Sequence, residues 1–167
     1  MIDIMKWIGV DEAGKGDYFG YLVIGGVLVD DESVKKLKEI GVKDSKLLSD
    51  SSVSKMAVKV KRICKHDIIR VSPEKYNLLY KKFKNLNKLL AWGHARVIEN
   101  LLQKHAADHV ITDKFGDEKF LKEALFERGY LNGHARELLH TDETAGAEPT
   151  DALRRARPWG KFWSRSG

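Results

Sequence analysis

Asp11 and Glu12 are adjacent carboxylates at the end of an apolar run, and Gly14, Lys15 and Gly16 follow at once. On a buried strand end two such groups repel each other unless a cation neutralises them, and burial otherwise pushes their pKa values up. Hard oxygen donors at such a point suit Mg²⁺ or Mn²⁺, ions that keep several waters and add a substrate phosphate. Taken alone, Asp-Glu beside glycine is also the ordinary content of an exposed turn. The Gly14-Lys15-Gly16 continuation shifts the balance toward a ligand. Two glycines let the backbone approach closely, and the lysine between them supplies a point charge for phosphate. The spacing is neither that of a Walker loop nor that of a dinucleotide-binding fingerprint.

Asp113 is a third carboxylate, again at the C-terminal end of an expected strand, where ligands gather in mixed α/β sheets. Asp117 and Glu118 read instead as first-turn helix residues that favour the macrodipole. Lys43-Asp44-Ser45-Lys46 admits two readings, a solvated loop or a phosphate or ribose contact through Lys43 and Ser45. His94 falls inside a long helix and reads as a structural or surface polar residue. His105, His109, His134 and His140 show no zinc-site spacing, and Cys64 has no companion. A Gly-x-Ser-x-Gly elbow is absent.

These residues need elements to hold them. Residues 5–10 read as a strand leading into the Asp-Glu pair, and residues 21–30 as a second, with Gly25-Gly26 marking a bulge or a close approach. Their nearness predicts an antiparallel hairpin. Helices are expected over 31–40, ended by Gly41, and over 52–66, with a strand at 67–71 after them. Pro73 suits the first turn of a helix running to about residue 83. Residues 85–107 give the clearest helix: Leu86, Leu89, Leu90, Val97, Ile98, Leu101 and Leu102 recur at spacings of three and four. A strand over 108–113 and a helix over 117–128, stopped by Gly129, complete the pattern. Strands and helices mixed after an initial hairpin imply an α/β domain with a mixed central sheet flanked by helices.

The chain of 167 residues can bury a core without disulfides. A single cysteine and the absence of a signal peptide point to a reducing cytoplasm. No apolar run is long enough to span a membrane. The net charge of +6 fits a polyanionic partner but is shared by many basic proteins that bind none. After Gly129 the character changes. Residues 1–129 hold 20 Lys and 4 Arg, whereas residues 130–167 hold 1 Lys and 5 Arg. That second segment loses hydrophobic periodicity and reads either as a flexible basic tail or as a piece foreign to the domain before it.

Gly9-Val10-Asp11-Glu12-Ala13-Gly14-Lys15-Gly16-Asp17-Tyr18-Phe19-Gly20 resembles the opening motif of the type 2 ribonucleases H. Lys15 and Asp17-Tyr18-Phe19 look like the HIII branch rather than HII. Lys43-Asp44-Ser45-Lys46 is similar to the second family motif, and Asn85-Leu86-Asn87-Lys88-Leu89-Leu90-Ala91-Trp92-Gly93-His94-Ala95 to an HIII helix segment. Ile111-Thr112-Asp113-Lys114-Phe115 matches the region of the third metal-binding carboxylate. The resemblance covers roughly residues 5–129 and implies an RNase H-like fold and two-metal hydrolysis of the RNA strand in an RNA–DNA hybrid. It implies that Asp11, Glu12 and Asp113 hold Mg²⁺ or Mn²⁺, one ion activating water and the other stabilising the leaving 3′ oxygen. Products would carry 5′-phosphate and 3′-hydroxyl ends. Gly14, Lys15, Gly16, Lys43 and Ser45 would contact the substrate, and contacts to 2′-hydroxyls would reject pure DNA. A cytoplasmic monomer without a membrane partner is expected.

Three departures stand against this pattern. Tyr21 replaces the usual proline. The substrate-binding N-terminal domain of the HIII branch is not expected, because the catalytic motif begins close to Met1. The fourth carboxylate has two candidates, Glu143 and Glu148, and the Ala-rich helix that should follow is missing. Codons for Ala152-Leu153-Arg154-Arg155-Ala156, read two nucleotides later, can encode Ala-Ala-Ala-Ser, so residues 130–167 could be out of frame. The expected division is therefore a catalytic domain over 1–129 and an atypical segment over 130–167, with a catalytically impaired hybrid-binding module as the alternative. A metal phosphatase shares Asp-rich sites but not the Lys-Asp-Ser-Lys and Trp-Gly-His segments.

Overall fold

The structure is a computed structural model, and it describes residues 4–14, 20–42, 48–112, 118–126 and 139–141. Strand β1 (Trp7–Ala13) and strand β2 (Leu22–Val29) are buried along almost their whole length. Such strands must be covered on both faces. They pair antiparallel, Trp7 opposite Val29 and Ala13 opposite Val23, as the expected hairpin requires. Helix α1 (Asp31–Glu39) starts on Asp30, whose carboxylate accepts the Ser33 amide at 2.8 Å. Helix α2 (Asp50–Ile63) starts on Ser49 and stops short of the expected residue 66, because the chain from Lys65 already pairs with β2. That strand, β3 (Lys65–Val71), runs antiparallel to β2.

Helix α3 (Pro73–Phe83) carries Pro73 in its first turn, and Lys84 closes it in a left-handed conformation. Helix α4 (Leu86–Lys104) is capped by Asn85, whose side chain accepts the amides of Asn87 and Lys88 at 2.8 and 3.3 Å. Strand β4 (His109–Thr112) lies parallel to β1, with Val10 opposite Thr112. Helix α5 (Glu118–Phe126) follows, and strand β5 (Leu139–Thr141) pairs parallel with β4. The mixed sheet thus has the order β3-β2-β1-β4-β5, with β1 at its centre. No strand was expected at 139–141, and β5 extends the sheet past the division drawn at residue 129.

Alternation sorts the strand side chains onto two faces. Ile8, Val10, Leu22, Ile24 and Val110 pack with Leu89, Leu90, Val97, Ile98 and Leu101 of α4 and with Leu121 of α5. Trp7, Val27, Val29 and Ile111 pack with Val34 and Leu37 of α1 and Val60 of α2. Each such side chain, fully buried, contributes about 1.5–3 kcal/mol of transfer free energy. Gly25-Gly26 makes no bulge, for the register of β2 is unbroken toward both neighbours. The close-approach reading holds instead: a Cβ on Gly26 would stand 2.6 Å from Val97 Cγ1. On α4, a Cβ at Gly93 would collide with the Ile24 side chain. One glycine on the sheet, beneath Val97, and one on the helix, above Ile24, let α4 sit down on the sheet.

Candidate active site

Continuing the alternation of β1, Glu12 shares the face of Ile8 and Val10 and points toward α4, while Asp11 belongs with Trp7 to the other face. Asp11 is 6% exposed, and its Oδ1 accepts the backbone N–H of Glu12 at 2.8 Å. The Glu12 side chain is 11% exposed and its Oε2 lies 2.7 Å from Nε2 of His94. A carboxylate only accepts, so the Nε2–H of His94 donates. On the far side of the ring, Nδ1 of His94 lies 3.0 Å from the hydroxyl of Thr112, the last residue of β4. The ring itself is fully buried in the middle of α4. Glu12, His94 and Thr112 therefore join three elements, β1, α4 and β4, through two hydrogen bonds on one face of the sheet.

Gly14 leaves β1 with φ of +81°, and a Cβ there would collide with the carbonyl of Tyr21. Glycine is required at this turn whether or not a ligand approaches it. Lys15, Gly16, Lys43, Ser45 and Asp113 lie outside the described residues, as do Glu143 and Glu148. Asp113 directly follows Thr112 in the chain, and Thr112 faces Val10 in the β1–β4 register. Among the described residues no group of three or more His, Cys, Asp or Glu is gathered as a metal site. Asp11 and Glu12 nevertheless present hard oxygen donors at a nearly dry strand end, each with one oxygen already hydrogen-bonded, and these fit Mg²⁺ or Mn²⁺ better than a soft metal. Cys64 offers no competing chemistry, since burial pushes its thiol up to about 12.

His94 stands out in the structure and hardly at all in the sequence. Apart from its place in the segment that resembles an HIII helix, its linear signal is position: it falls between Leu90, Ala91, Ala95 and Ile98, all buried, so the periodicity of α4 already placed it inward.

A family model, Ribonuclease HII, matches residues 8–132, which is most of the chain and includes Asp11, Glu12, His94, Thr112 and Asp113. The chain belongs to the ribonuclease HII family. Within that family it is similar to the protein named ribonuclease HIII of Protochlamydia amoebophila, 48% identical over 124 residues that make up 74% of this chain and 41% of that protein. It is equally similar to ribonuclease HIII of Chlamydia pneumoniae, 48% identical over 120 residues, 71% of this chain and 40% of that protein. The chain thus spans about two fifths of the length of these curated relatives. Among solved structures it resembles Bst-RNase HIII in complex with Mn²⁺, with a TM-score of 0.80 and 25% identity over 97% of this chain and 51% of that one. RNase H3 of Aquifex aeolicus superposes with a TM-score of 0.72 and 28% identity over 96% of this chain and 55% of the other. The RNase H-like fold and the HIII resemblance both stand.

Proposed function

We propose that this chain is the catalytic part of an endoribonuclease that cuts the RNA strand of RNA–DNA hybrids with the help of divalent metal ions. The observation that carries this reading is the Asp11-Glu12 pair at the end of the central strand, with Glu12 oriented by His94. It is supported by a structural relative solved with Mn²⁺ and by curated relatives named ribonuclease HIII. Bound divalent ions would supply activation of water and neutralisation of the scissile phosphate, giving 5′-phosphate and 3′-hydroxyl ends. Asp11, Glu12 and Asp113 would hold them. The chain's own work is placement: β1 delivers two carboxylates, α4 excludes water behind Glu12, and the Gly14 turn starts the segment whose Lys15 would meet the RNA phosphates. Gly14, Gly16, Lys43 and Ser45 are assigned to the same substrate surface.

A groove lined by Lys82, Phe83, Lys88, Trp92, Phe120, Glu123 and Ala124 adds support for a nucleic-acid partner. Lys82 and Lys88 each place an ammonium group 5.4 Å from the centre of a phenylalanine ring. Positive charge beside flat apolar rings is the usual make-up of nucleic-acid-binding grooves. No helix among the described residues is long and apolar enough to cross a membrane.

Residues 130–167 are assigned, as part of the same proposal, to a segment unlike the family's own C-terminal helix. The family match ending at residue 132 supports this, and the pairing of β5 with β4 counts against a segment wholly foreign to the fold. Sequencing the source DNA around codons 130–156 decides it, since an unshifted gene without the alternative Ala-rich frame removes the frame explanation. For activity, a labelled RNA–DNA hybrid is incubated with the full chain and Mg²⁺ or Mn²⁺. Metal-dependent cutting is expected, with Asp11→Asn and Asp113→Asn folded and inactive. Hybrid binding without cutting would leave a catalytically impaired binding module, and cutting by Asp113→Asn would remove Asp113 from the site.

A further inference from the structure

We propose that His94 is a positioning residue for the metal site, holding the Glu12 carboxylate in a single orientation while Thr112 holds the His94 ring. The inference rests on the reading of Glu12 as a metal ligand and adds a residue and a hydrogen-bond chain to it. Three observations carry it. First, an imidazole that is fully buried in the middle of α4 is costly to place among leucine, alanine and valine unless its ring nitrogens are engaged. Second, the two nitrogens reach two different strands, Nε2 to Glu12 on β1 at 2.7 Å and Nδ1 to Thr112 on β4 at 3.0 Å. Third, those strands are neighbours in the sheet, and each bears an expected ligand at or just beyond the residue contacted. A histidine satisfied for packing alone has no need to bridge both.

The ring acts on Glu12 in two ways. A flexible carboxylate loses side-chain entropy when it binds an ion, and a bond made beforehand removes much of that loss. An N–H held at 2.7 Å from Oε2 also occupies one lone pair of that oxygen and draws charge from it, which weakens its share in chelation of one ion by both oxygens. Two-oxygen chelation is common for Ca²⁺, whereas Mg²⁺ demands compact octahedral geometry with single-oxygen carboxylate ligands and water. The His94 contact therefore favours small ions over Ca²⁺. Thr112 contributes through the ring: its hydroxyl at Nδ1 stops the imidazole from rotating away from Glu12.

The test uses the full chain stripped of metal, with Mn²⁺ and Ca²⁺ titrated separately by calorimetry and the fold followed by circular dichroism. Thr112→Val keeps the shape of the side chain and removes the hydroxyl, and Thr112→Ser keeps the hydroxyl. His94→Gln keeps an amide donor of similar reach, and His94→Ala removes the ring. The expected result is a loss of Mn²⁺ affinity of about 10- to 100-fold in His94→Ala, a smaller loss in Thr112→Val, and recovery in Thr112→Ser and in part in His94→Gln. The preference for Mn²⁺ over Ca²⁺ should narrow in His94→Ala and Thr112→Val, a change that loss of packing would not produce. If His94→Ala does not fold, Thr112→Val set against Thr112→Ser carries the decision. Folded Thr112→Val and His94→Gln proteins with parental Mn²⁺ affinity and parental preference would overturn the positioning role while Glu12→Gln still weakens Mn²⁺ binding. If Glu12→Gln leaves Mn²⁺ affinity unchanged, the reading of Glu12 as a ligand fails, and this proposal falls with it.

Discussion

Glu99, five residues beyond His94 on α4, is 5% exposed, and burial pushes its carboxyl up to about 7 against the pull of Arg96. An ordinary value of 4.5 describes the unfolded chain. Between these two values the native state keeps a proton that the unfolded chain has released, so stability falls as pH rises through that window and levels off above about 7. Glu99→Gln is expected to remove this slope and to stabilise the protein at pH 8 by on the order of 1 kcal/mol. Urea melts of both proteins at pH 5 and pH 8 measure it, and identical slopes would dismiss the effect. Asp11 and Glu12 could be singled out in the sequence because two carboxylates before Gly-Lys-Gly at a strand end are a chemical anomaly. His94 could not, since one histidine in an apolar helix looks the same whether its ring meets a carboxylate or a backbone carbonyl. Only the packing of α4 against β1 tells them apart.

That packing depends on glycine. Gly93 immediately precedes His94 and abuts Ile24, which is itself fully buried in β2. In Gly93→Ala the new methyl must displace Ile24 or lift α4. Overpacking of this kind costs about 1–3 kcal/mol, and the better helix propensity of alanine returns about 1 kcal/mol. A net loss near 1 kcal/mol is expected by denaturant titration, accompanied by weaker Mn²⁺ binding because His94 moves with the helix. An unchanged midpoint would show that Ile24 can yield. Most elements were visible beforehand. The periodicity of α4, Pro73 at the start of α3 and the dense β-branched residues of β2 each state their structure within a short window. β5 did not, because Leu-His-Thr is too short for a period and owes its conformation to the exposed edge of β4. The glycine pair in β2 was ambiguous between bulge and close approach for a similar reason, since the deciding residues lie on another element.

For the whole molecule, the net charge of +6 and the groove bearing Lys82 and Lys88 set an expectation about salt. Each phosphate neutralised contributes about 0.9 to the slope of log affinity against log salt. Hybrid binding in the presence of Ca²⁺, followed by fluorescence anisotropy between about 50 and 200 mM salt, should therefore weaken steeply. The Lys82→Ala, Lys88→Ala double variant should lower the slope by about one to two units. An unchanged slope would place the hybrid elsewhere on the surface. The strand order has a separate consequence, for the timing of assembly. β1 and β2 form a hairpin that β3 joins after two helices, but the other edge of β1 waits for β4, about a hundred residues later. Contacts so distant in sequence close slowly, and on the ribosome they cannot close until the later segment has emerged. The central strand, carrying the two carboxylates, therefore keeps one bare edge until β4 is made, and the nascent chain is prone to misassociate until residues 109–112 leave the exit tunnel.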